Sequence, residues 1–293
     1  MANVTTMDTT DDSSLELDVV EIASDGDVLL DVTFETSNDT LKAARKATKP
    51  RPRQKASAPA HALKPSVRIG YRVQLSVLRQ KSKYFDNLFS DTRFAEAKSI
   101  AAAFEQLSLR NIKPSDASVA DLPAVRIHED DEATKLAGQE VIFGHLLRIL
   151  HEKPLEATAG SKPWTMHQVA TLAVLADRFD CTLPVSRSLS TLKFKWPTTP
   201  TTLPREDRPM PSLSRTAEET LRQKILVSWL LDQPPKMHTS TRELILYGSR
   251  KWSVYPDEDD TSSTAAWWDL PDDLESELEP SQAATPTPKY NVY

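Results

Sequence analysis

A chain of 293 residues with 39% hydrophobic and 27% charged residues has the composition of a soluble globular protein with one large domain or two small ones. Its single cysteine excludes an internal disulfide and a cysteine-based zinc cluster, and no uncharged apolar run approaches the ~20 residues that a membrane-spanning helix needs. The net charge of -6 conceals segregation: residues 1–35 and 256–280 hold acids and no base, while Lys42, Arg45, Lys46, Lys49, Arg51, Arg53, Lys55, Lys64 and Arg68 crowd a stretch without acids.

The chain has 21 prolines, clustered in a few segments, and only 6 glycines, so folded blocks joined by proline-stiffened linkers are expected. Residues 1–18 are polar and acidic, with the composition of a disordered terminus and none of the features of a signal or transit peptide. Two β-rich runs then flank Asp25-Gly26-Asp27, whose turn chemistry makes Val28 to Phe34 a strand. Residues 36–66, with the bases and Pro50, Pro52, Pro59 and Pro65, read as a long exposed insertion.

Val67 to Val73 alternates apolar and polar residues and forms a second strand. Leu75, Val77 and Leu78, then Tyr84, Phe85, Leu88 and Phe89, fall into two short helical patterns with Ser82 between them as the N-cap of the second. The segment from Phe94 can add helix, and residues 95–122 read as a second insertion. PAVRI (123–127) is a short strand ended by the polar loop HEDDE (128–132).

Residues 139–151 place Ile142, Leu146 and Ile149 beside Phe143, Leu147 and Leu150, a nearly buried helix that Pro154 stops. Residues 166–181 repeat the device with Val169, Leu172, Ala173, Ala176 and Phe179, the alanines allowing close approach of another helix. A proline-rich linker occupies 193–213. Two helices follow within 214–254, opening with the capping boxes Thr216-Ala-Glu-Glu219 and Ser240-Thr-Arg-Glu243, and the second ends at Gly248. Residues 255–293 are an acidic, disordered tail containing AAWWDL.

Nothing in this pattern assembles chemistry. Gly138 and Gly144 are the closest glycines and no Lys follows the second, so the phosphate cradles of a P-loop or dinucleotide fold are missing. His145 and His151 are six residues apart, the wrong spacing for one helical face. The acids of HEDDE lack a glycine-assisted turn for a cation and suit a solvated loop ahead of a helix. Cys181 reads as a small buried hydrophobe. No catalytic, cofactor or metal residue is assigned, and neither a cofactor nor a small-molecule substrate is expected. Two non-enzymatic signals remain. The basic run Lys42, Arg45, Lys46, Lys49, Arg51, Arg53 and Lys55 suits weak, non-specific phosphate contact, nuclear import, or merely a solubilising loop. The AAWWDL segment suits partner binding, or a tail that folds back with Trp267 and Trp268 covering a groove.

In chain order these elements resemble the BTB/POZ family, in the form common in filamentous fungi. That family shows a strand, a helix ending in Ser, then an aromatic pair in a second helix. Tyr71, Val73, Val77, Leu78, Ser82, Phe85 and Phe89 fill this pattern, with Gln74 and Leu75 where the family has His-Lys. DGDVLLDV, with Asp27, resembles the first strand. VRIHEDDEA and FGHLLRILHEKP, with Leu146 and Leu147, resemble the third strand and the helix after it. LAVLADRFDC, with Leu172, Ala176 and Phe179, resembles the final helical signature.

The resemblance covers residues 19–192 and implies an α+β fold, a small mixed sheet on a cluster of short helices. It further implies a protein-binding surface without an active site, a homodimer or an adaptor on a cullin scaffold of a ubiquitin ligase. The alternative is a nuclear, transcription-associated protein touching nucleic acid through the basic insertion. Either is intracellular, nuclear or cytoplasmic.

Overall fold

The computed structural model describes residues 17–47, 63–155, 164–191, 194–196, 213–248 and 265–268. Four strands, β1 (Asp18–Glu21), β2 (Val28–Glu35), β3 (Ser66–Val73) and β4 (Ala124–Asp130), form one mixed sheet in the order β1-β3-β2-β4. β2 pairs antiparallel with β3, while β1 runs parallel to β3 and β4 parallel to β2. The two runs flanking Asp25-Gly26-Asp27 are therefore both strands but not a hairpin. The turn carries the chain across β3, where Gly26 is pressed so closely on Arg72 and Val73 that a Cβ would come within 2.8 Å of the Val73 nitrogen.

Side chains alternate across a strand, so the sheet has two unlike faces. Val28, Leu30, Val32 and Phe34 of β2, Tyr71 and Val73 of β3, and Val125 and Ile127 of β4 point into the main core. That core is completed by α2 (Leu75–Lys81), α3 (Lys83–Ser90), α5 (Gln139–Leu150), α6 (Met166–Arg178) and α7 (Thr182–Thr191). A ladder of rings runs through it. Phe85 stacks on Phe89 and Phe179, Phe179 meets Phe143 edge-on, and Phe143 contacts Phe34 and Tyr71, all at centroid distances between 5.3 and 5.6 Å. Aromatic pairs of this geometry add roughly 0.5–1.5 kcal/mol each beyond the area they bury.

The opposite face is covered in part by residues 95–122, where helix is expected after Phe94. They form α4 (Ala95–Leu109) and two single 3₁₀ turns, and they bury Leu107, Ala117 and Leu122 against Leu29 of the sheet. Arg72, buried under this layer, donates to the carbonyls of Gly26, Ser115 and Ala117 and so sews the segment to the strand edge. The uncovered half of the face is polar: Arg68 grips Asp31 with two hydrogen bonds of 2.8 and 2.7 Å. This bidentate pair holds the Asp31 carboxyl below its usual range.

The insertion at 36–66 is likewise partly structured. α1 (Asn38–Ala47) begins at Ser37, which caps it through Thr40, and buries Thr40 and Leu41. Residues 48–62, including four of the predicted bases, lie outside the described residues.

Beyond 213 the chain packs onto the same core. α8 (Arg215–Leu230) and α9 (Pro234–Tyr247) form a helical pair, and α8 lies against α6, where Ala173 and Ala176 are fully buried as their small size predicts. The two capping boxes are displaced. Ser214, not Thr216, caps α8, and the N-cap of α9 is Gln233, seven residues before Ser240, which leaves Ser240 buried in mid-helix. Proline at the first turn lacks only an N–H that would have gone unpaired, so it opens α9 without a cap. Gly248 does end α9, though with ordinary backbone angles (φ -67°). A Cβ there would run into the Leu244 carbonyl.

Candidate interaction site

The predicted site residues around Ser82 come together as a structural junction. Ser82 is buried. Its hydroxyl accepts from the Phe85 amide at 3.1 Å, capping α3, and donates to the Phe179 carbonyl at 2.6 Å. Asp27 receives the first amide of α2, Leu75, at 2.7 Å. The adjacent Gln74 amide donates to Nε2 of His151, whose Nδ1 lies 2.8 Å from the Leu147 carbonyl. Nε2 must accept, so Nδ1 carries the proton and the ring is neutral. Burial favours the same state, drawing the His151 pKa below its ordinary value against the pull of Asp25 and Asp27. Val73, Leu78, Phe85, Phe89, Leu146, Leu147, Leu172, Ala176 and Phe179 are buried around this junction, while Val77 is half-buried.

The reactive residue types are occupied in the same manner. HEDDE is not a loop, because β4 runs through His128, Glu129 and Asp130. Glu129 turns inward and is held by Arg178 at 2.7 Å, its burial raising its pKa despite that partner. Asp131 is buried too, accepting from the amide and hydroxyl of Ser37 at 3.0 and 2.9 Å. Glu129 therefore locks α6 to the sheet edge and Asp131 locks the start of α1. Cys181 is buried and its thiol is pushed up to about 12, first by desolvation and then by Asp180 and Asp177. It borders an open cleft of about 660 Å³ at the ends of α2, α5 and α7, beside Lys81, Glu152, Lys153 and Arg187.

Of the predicted basic patch, Lys42, Arg45 and Lys46 lie along α1. Lys42 pairs with Asp39 at 3.0 Å in full solvent, and Arg45 donates to the Leu63 carbonyl at 3.1 Å, steadying the chain where it returns toward β3. Lys46 is exposed. Lys49, Arg51, Arg53 and Lys55 lie outside the described residues.

The best-defined seat for a peptide is one the sequence left undecided. Ala265 to Trp268 fold back onto the body, and Trp267 is only 1% exposed. Its ring packs nearly perpendicular to that of His167 on α6, with centroids 4.9 Å apart, and its Nε1 donates to Glu219 of α8 at 3.3 Å. The Ala266 amide donates to the Ala133 carbonyl at 2.8 Å, and the Trp268 ring lies 4.9 Å over the guanidinium of Arg222. The seat is built from within: His167 Nε2 lies 2.6 Å from the Thr134 carbonyl, and Arg222 contacts Glu218 one turn away. Sequence reasoning missed His167, Glu219 and Arg222 because His167 lies on a different helix from the other two and all three are far in the chain from residues 265–268, and only the paired tryptophans signalled that a receptor existed.

Among the described residues, no helix is long and apolar enough to cross a membrane. Comparison with known proteins finds no matching family model, no matching curated protein and no matching solved structure.

Proposed function

We propose that this chain is a non-enzymatic protein-interaction module in which residues 19–192 form a BTB/POZ-type domain, acting as a homodimer or as an adaptor on a cullin ubiquitin ligase. The observation that carries the reading is the junction at Ser82. There a strand feeds a short helix, the serine ends it and caps the next, and the aromatic pair Phe85 and Phe89 enters a core closed by Phe179. The order of elements around it supports the same reading: β2 and β3 pair, β4 joins β2, and α5 and α6 follow in the same core. Partners would be met by surface side chains, among which Tyr84, Val141 and Leu183 are large, apolar and exposed.

Calorimetry of the full chain against the N-terminal region of a cullin tests the adaptor reading, with low-micromolar or tighter binding expected. No binding, together with a strict monomer in light scattering at high concentration, overturns both forms of the proposal.

A second reading is favoured by α1, which holds Lys42 and Lys46 in solvent: weak contact with nucleic acid through the basic segment. It expects binding to unrelated duplexes that weakens steeply with salt. Equal binding by a chain with Lys42, Arg45 and Lys46 changed to Gln would count against these residues.

A further inference from the structure

Trp267 is the largest fully buried side chain among the described residues, yet it belongs to a four-residue segment joined to α9 through residues 249–264. Its contacts are more polar than those of the ring ladder, where only the Tyr71 hydroxyl makes a hydrogen bond, to the Glu140 carbonyl. The indole N–H is read by a carboxylate, the ring by a perpendicular imidazole, the backbone by a carbonyl and the second ring by a guanidinium. Directional polar contacts around an aromatic anchor are the anatomy of a recognition pocket. The receptor groups are also held by bonds that do not involve the occupant, His167 to Thr134 and Arg222 to Glu218.

We propose that the seat formed by α6, α8 and the Ala133–Thr134 turn is a docking site for peptides with two adjacent tryptophans. Residues 265–268 are its resident occupant, displaced when a partner protein presents the same chemistry. Tethering makes the resident's binding intramolecular, and tethered ligands act at effective concentrations on the order of millimolar. A partner therefore competes only when it binds tightly or is itself held close by another contact. The seat then stays shut to stray hydrophobic segments and opens to a partner already engaged elsewhere on the surface. The proposal does not rest on the family reading, since the contacts of residues 265–268 with Ala133, His167, Glu219 and Arg222 carry it whatever family residues 19–192 belong to.

The test is fluorescence anisotropy of a labelled peptide with the sequence of residues 261–276, titrated with the full chain and with full chains carrying Trp267→Ala or Trp268→Ala. Trp267→Ala removes the resident anchor and Trp268→Ala loosens the resident by removing its contact with Arg222, so the peptide should bind both more tightly than it binds the wild type, the first at least about ten-fold. Adding Glu219→Ala to either variant should weaken that binding again. Should Trp267→Ala lose its thermal transition, Trp268→Ala decides alone, because that ring is only half-buried. Equal affinity for wild type and a folded variant overturns the proposal, as does failure of the peptide to bind any folded variant. A wild-type dimer that becomes monomeric with Trp267→Ala also overturns it, by placing the segment in a second copy.

Discussion

The Ser82 hydroxyl lies 2.6 Å from the Phe179 carbonyl oxygen, so one side chain both caps α3 and satisfies the end of α6, 97 residues further along the chain. Removing it leaves a buried carbonyl and an orphan amide at once. Ser82→Ala should therefore destabilise the protein by about 2–3 kcal/mol, a lost cap plus an unmet acceptor, read from urea denaturation. A cost below about 0.5 kcal/mol would mean that the junction relaxes to find other partners.

His151 and Asp31, two buried groups with lowered pKa values, make stability fall in two stages as pH drops. His151 is neutral in the fold, with its pKa below the ordinary 6.5. Its contribution is complete above that value and is lost as pH falls through the folded pKa, because the unfolded chain takes up the proton first. Asp31 has a folded pKa below 3.8, so its contribution is lost only as pH falls further, below that value. His151→Gln, which still offers an acceptor to the Gln74 amide, should flatten the first stage and leave the second. If the pH profiles of variant and wild type superimpose between pH 7 and pH 5, His151 is not the group responsible.

Leu107 separates a structural layer from an insertion. It is 2% exposed and packs on the outer face of the sheet. Leu107→Ala should cost about 3 kcal/mol, as buried leucines do, with the urea midpoint shifted and the slope unchanged. A surface loop would show less than about 0.5 kcal/mol.

Four helices end in the same left-handed turn without glycine. Asn111, Glu152, Asp180 and Asp232 hold φ between 46° and 55°, and each turn closes with the paired hydrogen bonds of a Schellman motif. L-residues pay for that conformation with a Cβ–carbonyl clash. Asp232→Gly should thus stabilise the chain by about 0.5–1 kcal/mol, seen as a raised Tm, whereas Asp232→Ala should not.

Cys181, with its thiol pushed up to about 12 and its side chain buried, should stay unreactive toward a disulfide reagent at pH 8 in the native state. It should react stoichiometrically once denaturant is added. Rapid native labelling would place the α6–α7 turn among locally opening segments.

Local chemistry alone determined a good deal here. Apolar period gave β2, β3, α2, α3, α5 and α6 to within a few residues, and Ser82 was legible as a cap because Phe85 follows at cap spacing. These are short-range patterns, set by backbone geometry and by which face must leave water. Tertiary structure decided what the same patterns leave open. It ran β1 parallel to β3 rather than into a hairpin, laid α4 and its following turns on the outer face of the sheet, and buried Glu129 because Arg178 waits across the core edge. It moved the start of α9 to Pro234, since burial of Ser240 and Leu244 outweighs a local capping box. It also seated Trp267 between His167 and Glu219. In each case the deciding partner is distant in sequence, and the energy comes from desolvation and pairing that exist only once the chain has closed.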